Sequence, residues 1–585
     1  MKITKVLFLL GTIIAAANAC FALGVSKWQT NGAVVTSPPG STTQIYPKIV
    51  TDGRNGAIIV WEDQRDDIAG DVYVQRMDSL GNCLWAANGV PVAVGASRCQ
   101  AKPEIVPDGD GGAIIAWWDA PVLMGLNWGY AYAQRVDSMG NCLWRTNGVP
   151  VCSLDAVHDM FGGNLAIAGD DAKGAIIAWR DVRSSDPWAP NIYAQRVDSL
   201  GICLWTLNGV PVAVKPSMQE EPGIVGDGAG GAIICWKDST VSGGRDVYAQ
   251  RVDANGIIRW SDGGIPICNA DSEQVCGEIM KSEDNCAIIS WSDNRNGNKD
   301  IYVQRVDTVG VVKWAVNGVP ICEESSKQTG AWLTSDLKDG CIAVWIDHRN
   351  GDADLFAQRV DVNGNIRWAM NGIPLCIGPG PQWVTQICSD LAGGAIVVWQ
   401  DTVAGNRNEW DIYCQRVDST GNCLWGANGM AVCTQDSFQE RPVVVSDGTI
   451  GGAIIVWQDA RGGLNTWLDI YAQRVGDTLF TGAEGEPEGR IQKAEFKMCQ
   501  NYPNPVRQFT TIGYQLPERA RVELSVYNIL GEKIKILADK LQEAGAHDVS
   551  WNSTDEKGQK VSSGVYIYRL QTGDFMETKK MVVIK

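Results

Sequence analysis

Apolar and polar positions follow one pattern that recurs along most of the chain. A continuous apolar run, as in GAIIVWED from Gly56, precedes a segment that mixes β-formers with polar residues, as in DIYVQRVD from Asp300. A short apolar run bounded by Gly/Asp turns predicts a strand buried on both faces, and the mixed segment predicts its neighbour. Upstream lies a third strand signal of the form P-x-I-V-x-D, as at Pro103–Asp108. Downstream, a Gly-containing turn such as DSLGN leads to a short strand of the NCLW type and then to NGVPV. Each unit therefore predicts four β-strands, and no convincing amphipathic helix interrupts them.

The apolar run occurs in eight copies, beginning near Gly56, Gly112, Gly174, Gly231, Cys286, Cys341, Gly394 and Gly452. The tryptophans that close the NCLW-type segments are Trp28, Trp85, Trp144, Trp205, Trp260, Trp314, Trp368 and Trp425, spaced 54–61 residues apart. Four short strands per unit with aromatic signatures predict an all-β, eight-bladed β-propeller. The eighth unit lacks the W…NG…PV segment, and the chain supplies it at Lys27–Val35, ahead of the first complete unit. An N-terminal strand completing the last blade accounts for both facts and leaves no open sheet edge. An open β-solenoid is the alternative.

Residues that recur in every unit predict scaffold. Eight further tryptophans occupy a W-x-D slot, from Trp61-Glu62-Asp63 to Trp457-Gln458-Asp459. The W-x-D aspartate and the Gln-Arg pair, from Gln75-Arg76 to Gln473-Arg474, also recur. An Asp–Arg pair within each unit is expected, because a guanidinium fork fits a carboxylate. DGDGG-type turns lack the ligand spacing of a calcium loop and predict turns that need positive φ. The eighteen cysteines do not fall into a one-to-one repeated pairing. A mixture of buried thiols and a few disulfides is expected.

Residues that do not recur are the candidate site. Trp128, Trp188, Trp410 and Trp467 fall in the loop between the second and third strands of units two, three, seven and eight. From the W-x-D aspartate to the Tyr of the third strand takes 12–13 residues in those units and 9–10 in the others. Loops on a rigid scaffold commonly bind ligands, and exposed Trp stacks on sugars and peptides. These four residues are the expected ligand-binding rim; the competing reading folds each Trp over its own loop. No catalytic constellation emerges, and the three histidines argue against a multi-histidine metal centre. No cofactor and no metal site are expected.

Charge and the N-terminus narrow the class. With 50 Lys and Arg against 67 Asp and Glu, the net charge is −17, which makes the chain a poor candidate for a phosphate-reading nucleic-acid or polybasic membrane binder. Lys2 and Lys5 precede an apolar run to Ala17 and an A-x-A site ending at Ala19. Residues 1–19 therefore read as a signal peptide, whose apolar run from Val6 to Ala17 is too short to span a bilayer. Cys20 follows directly, and lipidation there stays open. The propeller is assigned to 23–480 and a Gly/Glu-rich linker to 481–495.

From Glu495 the pattern changes to a small strand-and-turn domain, assigned to 496–585. NYPNP at Asn501–Pro505 is followed by TTIGYQLP, VELSVYNILGEKI, AGAHDVSWN, VSSGVYIYRLQTG and KKMVVIK. This series resembles the C-terminal sorting domain of type IX secretion cargo, related to the Ig-like domain of the flagellar hook-capping protein. The resemblance implies an Ig-like sandwich, with Tyr502, Pro503, Asn504 and Pro505 as the sorting motif. It also implies type IX-like secretion machinery as partner, and a secreted or outer-surface location in a Gram-negative bacterium. The expected function is a non-enzymatic surface protein binding a glycan, polymer or protein. A secreted polysaccharide hydrolase is the alternative.

Overall fold

The computed structural model describes residues 24–37, 42–65, 70–95, 98–121, 129–152, 165–183, 189–239, 244–402, 410–461, 467–477, 497–498, 506, 510–516, 519–529, 531–542, 545–572 and 575–583. The signal segment, the linker and the motif residues Tyr502, Pro503, Asn504 and Pro505 lie outside the described residues. The chain divides into two compact units, Met1–Thr481 and Gly482–Lys585. The described residues are all-β, with antiparallel sheets and no helix. No helix among them is long and apolar enough to cross a membrane.

The first unit holds eight antiparallel sheets. In the first sheet, Gln44–Thr51 pairs with Ala57–Asp63, which pairs with Asp71–Met77, which pairs with Val90–Ala93. Six of the other sheets repeat that order. The apolar runs are the second strands, buried along their whole length in Ala57–Asp63, Ala175–Asp181 and Ala453–Asp459. The eighth sheet takes its outer strands from the N-terminus: Gly24–Ser26 and Ala33–Thr36 both pair with Asp469–Asp477. The first strands touch one another from sheet to sheet, and that of the eighth, Gln439–Ser446, touches Gln44–Thr51 of the first.

One expectation is corrected. The fourth strand is the V-P-V segment, such as Val90–Ala93 or Val210–Ala213, and not the NCLW segment. Around Cys83 the NCLW backbone makes only a single bridge to Met77. The Trp85 N–H is taken by the Gln75 side chain at 3.0 Å, so the chain turns there instead of pairing. The Trp ring then stitches neighbouring units. Trp85 Nε1 donates to Ser138 O at 3.2 Å and Trp144 Nε1 to Ser199 O at 3.0 Å. Trp28 Nε1 of the eighth sheet donates to Ser79 O of the first unit at 2.9 Å. The turn glycine sits under the preceding unit's ring: Gly81 has φ +88°, and a Cβ there would lie 2.9 Å from Trp28. That close approach and the positive φ together explain the glycine.

The Asp–Arg expectation is corrected in its partner. The Gln-Arg arginine pairs with the aspartate that ends the first strand, not with the W-x-D aspartate. Arg76 Nη2 lies 2.8 Å from Asp52 Oδ2, Arg135 2.9 Å from Asp108, and Arg359 2.8 Å from Asp336. That aspartate also caps its own turn: Asp52 Oδ1 accepts the N–H groups of Arg54 and Gly56 at 2.8 Å. In the fifth unit Ser282 replaces it, and Arg305 pairs with Asp284 instead.

All sixteen described cysteines are thiols, so the expected few disulfides are absent among the described residues. Position keeps many of them apart: Cys268, Cys322, Cys376 and Cys433 sit in equivalent slots of different units, at the ends of fourth strands. Cys235 and Cys276 are the exception, with their Sγ atoms 3.6 Å apart.

In the second unit, the strands Thr510–Leu516 and Gly545–Trp551 pair in a three-stranded sheet. Lys533–Gln542, Ala520–Asn528, Gly564–Thr572 and Phe575–Val583 form a four-stranded one. Both contribute to one core that includes Ile512, Trp551, Leu524, Tyr568 and Met581.

Candidate binding face

The second strands end in the W-x-D motif, and the loops with the non-recurring tryptophans leave from that end. The W-x-D tryptophans are fully buried. In every unit but the second, where Trp117 Nε1 makes no such bond, their indole N–H donates to the aspartate two residues on: Trp61 to Asp63 at 2.7 Å, Trp345 to Asp347 at 2.9 Å, Trp457 to Asp459 at 2.9 Å. The carboxylate thus has one oxygen pinned to the scaffold and faces the loop end.

A cation meets that carboxylate in seven of the eight units. In five it is the arginine two residues after the aspartate: Arg65, Arg183, Arg295, Arg349 and Arg461. Each guanidinium also donates to the carbonyl of the Asn in the NG turn. These are Asn88, Asn208, Asn317, Asn371 and Asn31, at 2.8–2.9 Å. Each lies over the ring of the third-strand aromatic, Tyr73, Tyr193, Tyr302, Phe356 and Tyr471, at 3.7–4.1 Å from the centroid. Carboxylate, carbonyl and ring face are three complementary partners for one planar cation. Arg295, Arg349 and Arg461 add a cysteine Sγ, of Cys268, Cys322 and Cys433, at 3.0–3.2 Å.

In two units the cation arrives by another route. Arg98, at the start of a first strand, pairs with Asp119. Lys215, after a fourth strand, reaches Asp238 at 2.7 Å and lies 3.6 Å from the Tyr248 ring. The electrostatics follow. Burial pushes the carboxyls of Asp293 and Asp347 up, but their arginines outweigh it and hold both below the usual carboxylate range. Burial raises Asp119, whose Arg98 offsets it only in part.

The seventh unit departs from the pattern. Asp401 accepts Trp399 Nε1 at 3.2 Å, but among the described residues no cation reaches it. Its carboxyl is raised by burial. In place of a cation there is a cavity of about 230 Å³, lined by Cys376, Gly378, Asp401, Thr402, Tyr413 and Asn428 among others. Sequence reading missed it, because the W-x-D aspartate itself is unchanged. The signal was the residue two positions on, Val403 where five units have Arg.

Of the four expected rim residues, Trp128 and Trp188 lie outside the described residues. Trp410 begins the third strand of the seventh unit opposite Thr402. It is half-buried, edge-on to Phe438 with centroids 6.2 Å apart. Trp467 is exposed, at 37 %. The other tryptophans outside the template differ: Trp118 and Trp551 are core, and Trp383 is 44 % exposed.

Residues 500–585 match the family model of the secretion system C-terminal sorting domain. The chain carries that domain. It directs the protein through a type IX secretion system to the outer surface or the extracellular space of a Gram-negative cell. No curated protein matches the chain. Among solved structures, a puromycin hydrolase variant is 14 % identical with a TM-score of 0.42; the match covers 74 % of this chain and 61 % of that one. PorZ, a surface component of the type-IX secretion system of Porphyromonas gingivalis, is 12 % identical with a TM-score of 0.33, covering 92 % and 70 %. The β-propeller domain of the trilobed protease from Pyrococcus furiosus is 11 % identical with a TM-score of 0.38, covering 68 % and 100 %. None of these three reaches a TM-score of 0.5, so the architecture rests on the sheets and their contacts.

Two carboxyls are pushed up to about 7 by burial, Glu62 and Glu278. Raised carboxyls are a mark of acid–base chemistry, but both have scaffold roles with neutral counterparts. Glu62 Oε2 accepts the N–H of Lys102 in the next unit at 3.4 Å. Gln400 and Gln458, at the same W-x-D position, accept the N–H of Arg441 and Tyr46 at 3.0 and 3.1 Å. Glu278 accepts the N–H of Leu333 at 2.6 Å, and Gln386 in the corresponding place accepts that of Val444 at 2.7 Å.

Proposed function

We propose that the chain is an exported eight-bladed β-propeller, closed by its N-terminal strands, that acts as a non-enzymatic binding protein at the cell surface. An Ig-like sorting unit delivers it, with Tyr502, Pro503, Asn504 and Pro505 as the motif read by the secretion machinery. The ligand, a glycan, polymer or protein, docks on the end of the blades where the W-x-D strands stop. Trp128, Trp188, Trp410 and Trp467 are the rim that contacts it. One observation carries this reading. The W-x-D scaffold repeats through all eight units, while long Trp-bearing loops occur only in units seven, eight, two and three, which together with the short-looped unit one form one arc of a closed ring. Variation confined to one arc of an otherwise repeated scaffold is the arrangement of a binding surface.

Retention of the mature chain on immobilised polysaccharides and surface-protein fractions tests this, with released reducing sugar assayed on every hit. Binding without release, weakened by joint Trp-to-Ala change at the four positions, supports the reading. Release of sugar moves the protein to the hydrolases.

A further inference from the structure

We propose that the cavity of the seventh unit is a receptor for one cationic side chain, an arginine presented by a partner polypeptide. The proposal rests on the reading that this end of the blades is the binding end, and narrows the ligand to a protein.

The molecule itself shows what belongs in this slot. Seven units place a guanidinium or ammonium between the W-x-D carboxylate and the third-strand aromatic ring. They do so by three chain routes: the residue two after the aspartate, the start of the first strand, or the second residue after the preceding fourth strand. The slot is filled whichever route is open, so its chemistry, and not one local motif, calls for the cation. In the seventh unit all three routes are blocked by residue type. The positions corresponding to Arg65, Arg98 and Lys215 are Val403, Gly380 and Gly378.

The receiving groups are nonetheless kept. Asp401 supplies the carboxylate, Tyr413 the ring face, Asn428 the NG-turn residue and Cys376 the thiol, and all four line the cavity. Their counterparts in the sixth unit, Asp347, Phe356, Asn371 and Cys322, all hold Arg349. The cavity is thus lined by the same kinds of group, a carboxylate, a ring, an NG-turn residue and a thiol, that hold an arginine head in the sixth unit. A planar fork suits these acceptors better than a point charge does. The net charge of −17 favours approach of a basic partner. The slot adjoins Trp410, whose backbone pairs with Thr402, so a bound polypeptide would meet the rim as well.

The test uses the mature full-length chain and two fluorescent peptides, Gly-Arg-Gly and its neutral isostere with citrulline in place of arginine. The arginine peptide is expected to bind and the citrulline peptide to bind about tenfold or more weakly. Asp401→Asn is expected to abolish the difference. Gly378→Lys re-creates the route used by Lys215 and removes no receiving group. It should block the peptide while raising the melting temperature, which separates an occupied slot from a misfolded protein. Equal binding of both peptides, or arginine binding untouched by both variants, overturns the proposal. So does arginine binding that appears only after Arg407→Gln, because the slot would then belong to the chain's own loop. Loss of polysaccharide binding in the Trp variants with arginine binding retained leaves this proposal standing and confines the rim to glycans. Polysaccharide binding with no arginine binding leaves the rim and removes the slot.

Discussion

The sixth and seventh units share one scaffold and differ in whether a cation fills the slot beside the W-x-D aspartate. Each buries its W-x-D tryptophan, pins an aspartate with the indole N–H, and sets an aromatic ring and an NG turn beside it. In the sixth, Arg349 fills the space between them. In the seventh the space stays open as a cavity. The same repeated frame is therefore self-satisfied in one unit and receptive in the next. In a repeat protein the scaffold is maintained by what recurs, and a site arises where one recurring partner is left out.

The largest effect should come from breaking what the two units share. Trp345→Ala removes a fully buried indole and should cost about 3–5 kcal/mol in denaturant unfolding. Trp399→Ala in the seventh unit should cost about the same; a much smaller loss there would show that the open cavity has already loosened its core.

Next comes burial of charge. Glu62 is buried and its carboxyl is raised to about 7. A raised acid contributes its stability below its unfolded pKa of about 4.5 and loses it as pH climbs through 7. Glu62→Gln, which copies Gln400 and Gln458, should match the parent in stability near pH 4. It should gain on it as pH rises and lead by roughly 3 kcal/mol above pH 7. Calorimetric melting temperatures across that range check the sign, and parallel curves would refute the shift.

Removing the cation from the sixth unit separates it from the seventh. Arg349→Ala leaves the Asp347 carboxylate without its partner and should destabilise by roughly 2 kcal/mol, since the arginine is only one-fifth exposed. Asp401→Asn removes a carboxylate whose ionisation burial disfavours, and should be neutral or mildly stabilising at pH 7. Equal losses in the two variants would mean that Asp401 has a cation after all. The smallest effect is expected from Trp467→Ala, where the ring is 37 % exposed: less than about 0.5 kcal/mol in stability, with any consequence read in ligand retention.

Much of this architecture was legible because it repeats. Runs such as AIIVWED announce doubly buried strands, and the missing segment of the eighth unit pointed to Lys27–Val35. What misled was backbone pairing at the fourth strand. NCLW looks like a strand, but Gln75 takes the Trp85 N–H and passes the sheet edge to Val90–Ala93. The ion pair was expected from the right residue types with the wrong aspartate. Two aspartates recur in every unit but the fifth, and only the fold shows that Asp52 faces Arg76 while Asp63 faces Arg65. The receptive slot escaped for a related reason: its mark is an arginine replaced by Val403, and a missing partner carries meaning only once the partner's place is known.

Periodicity along the chain therefore determined the strand count per unit, the number of units, the burial of the W-x-D tryptophans and the export of the product. These depend on local hydrophobic pattern and on contiguous motifs. Only the tertiary structure decided which acid meets which base, that Arg98 and Lys215 do by other routes what Arg65 does directly, and that Asp401 opens on a cavity. Those pairings join residues that are distant in sequence, through side chains whose reach the one-dimensional pattern does not encode.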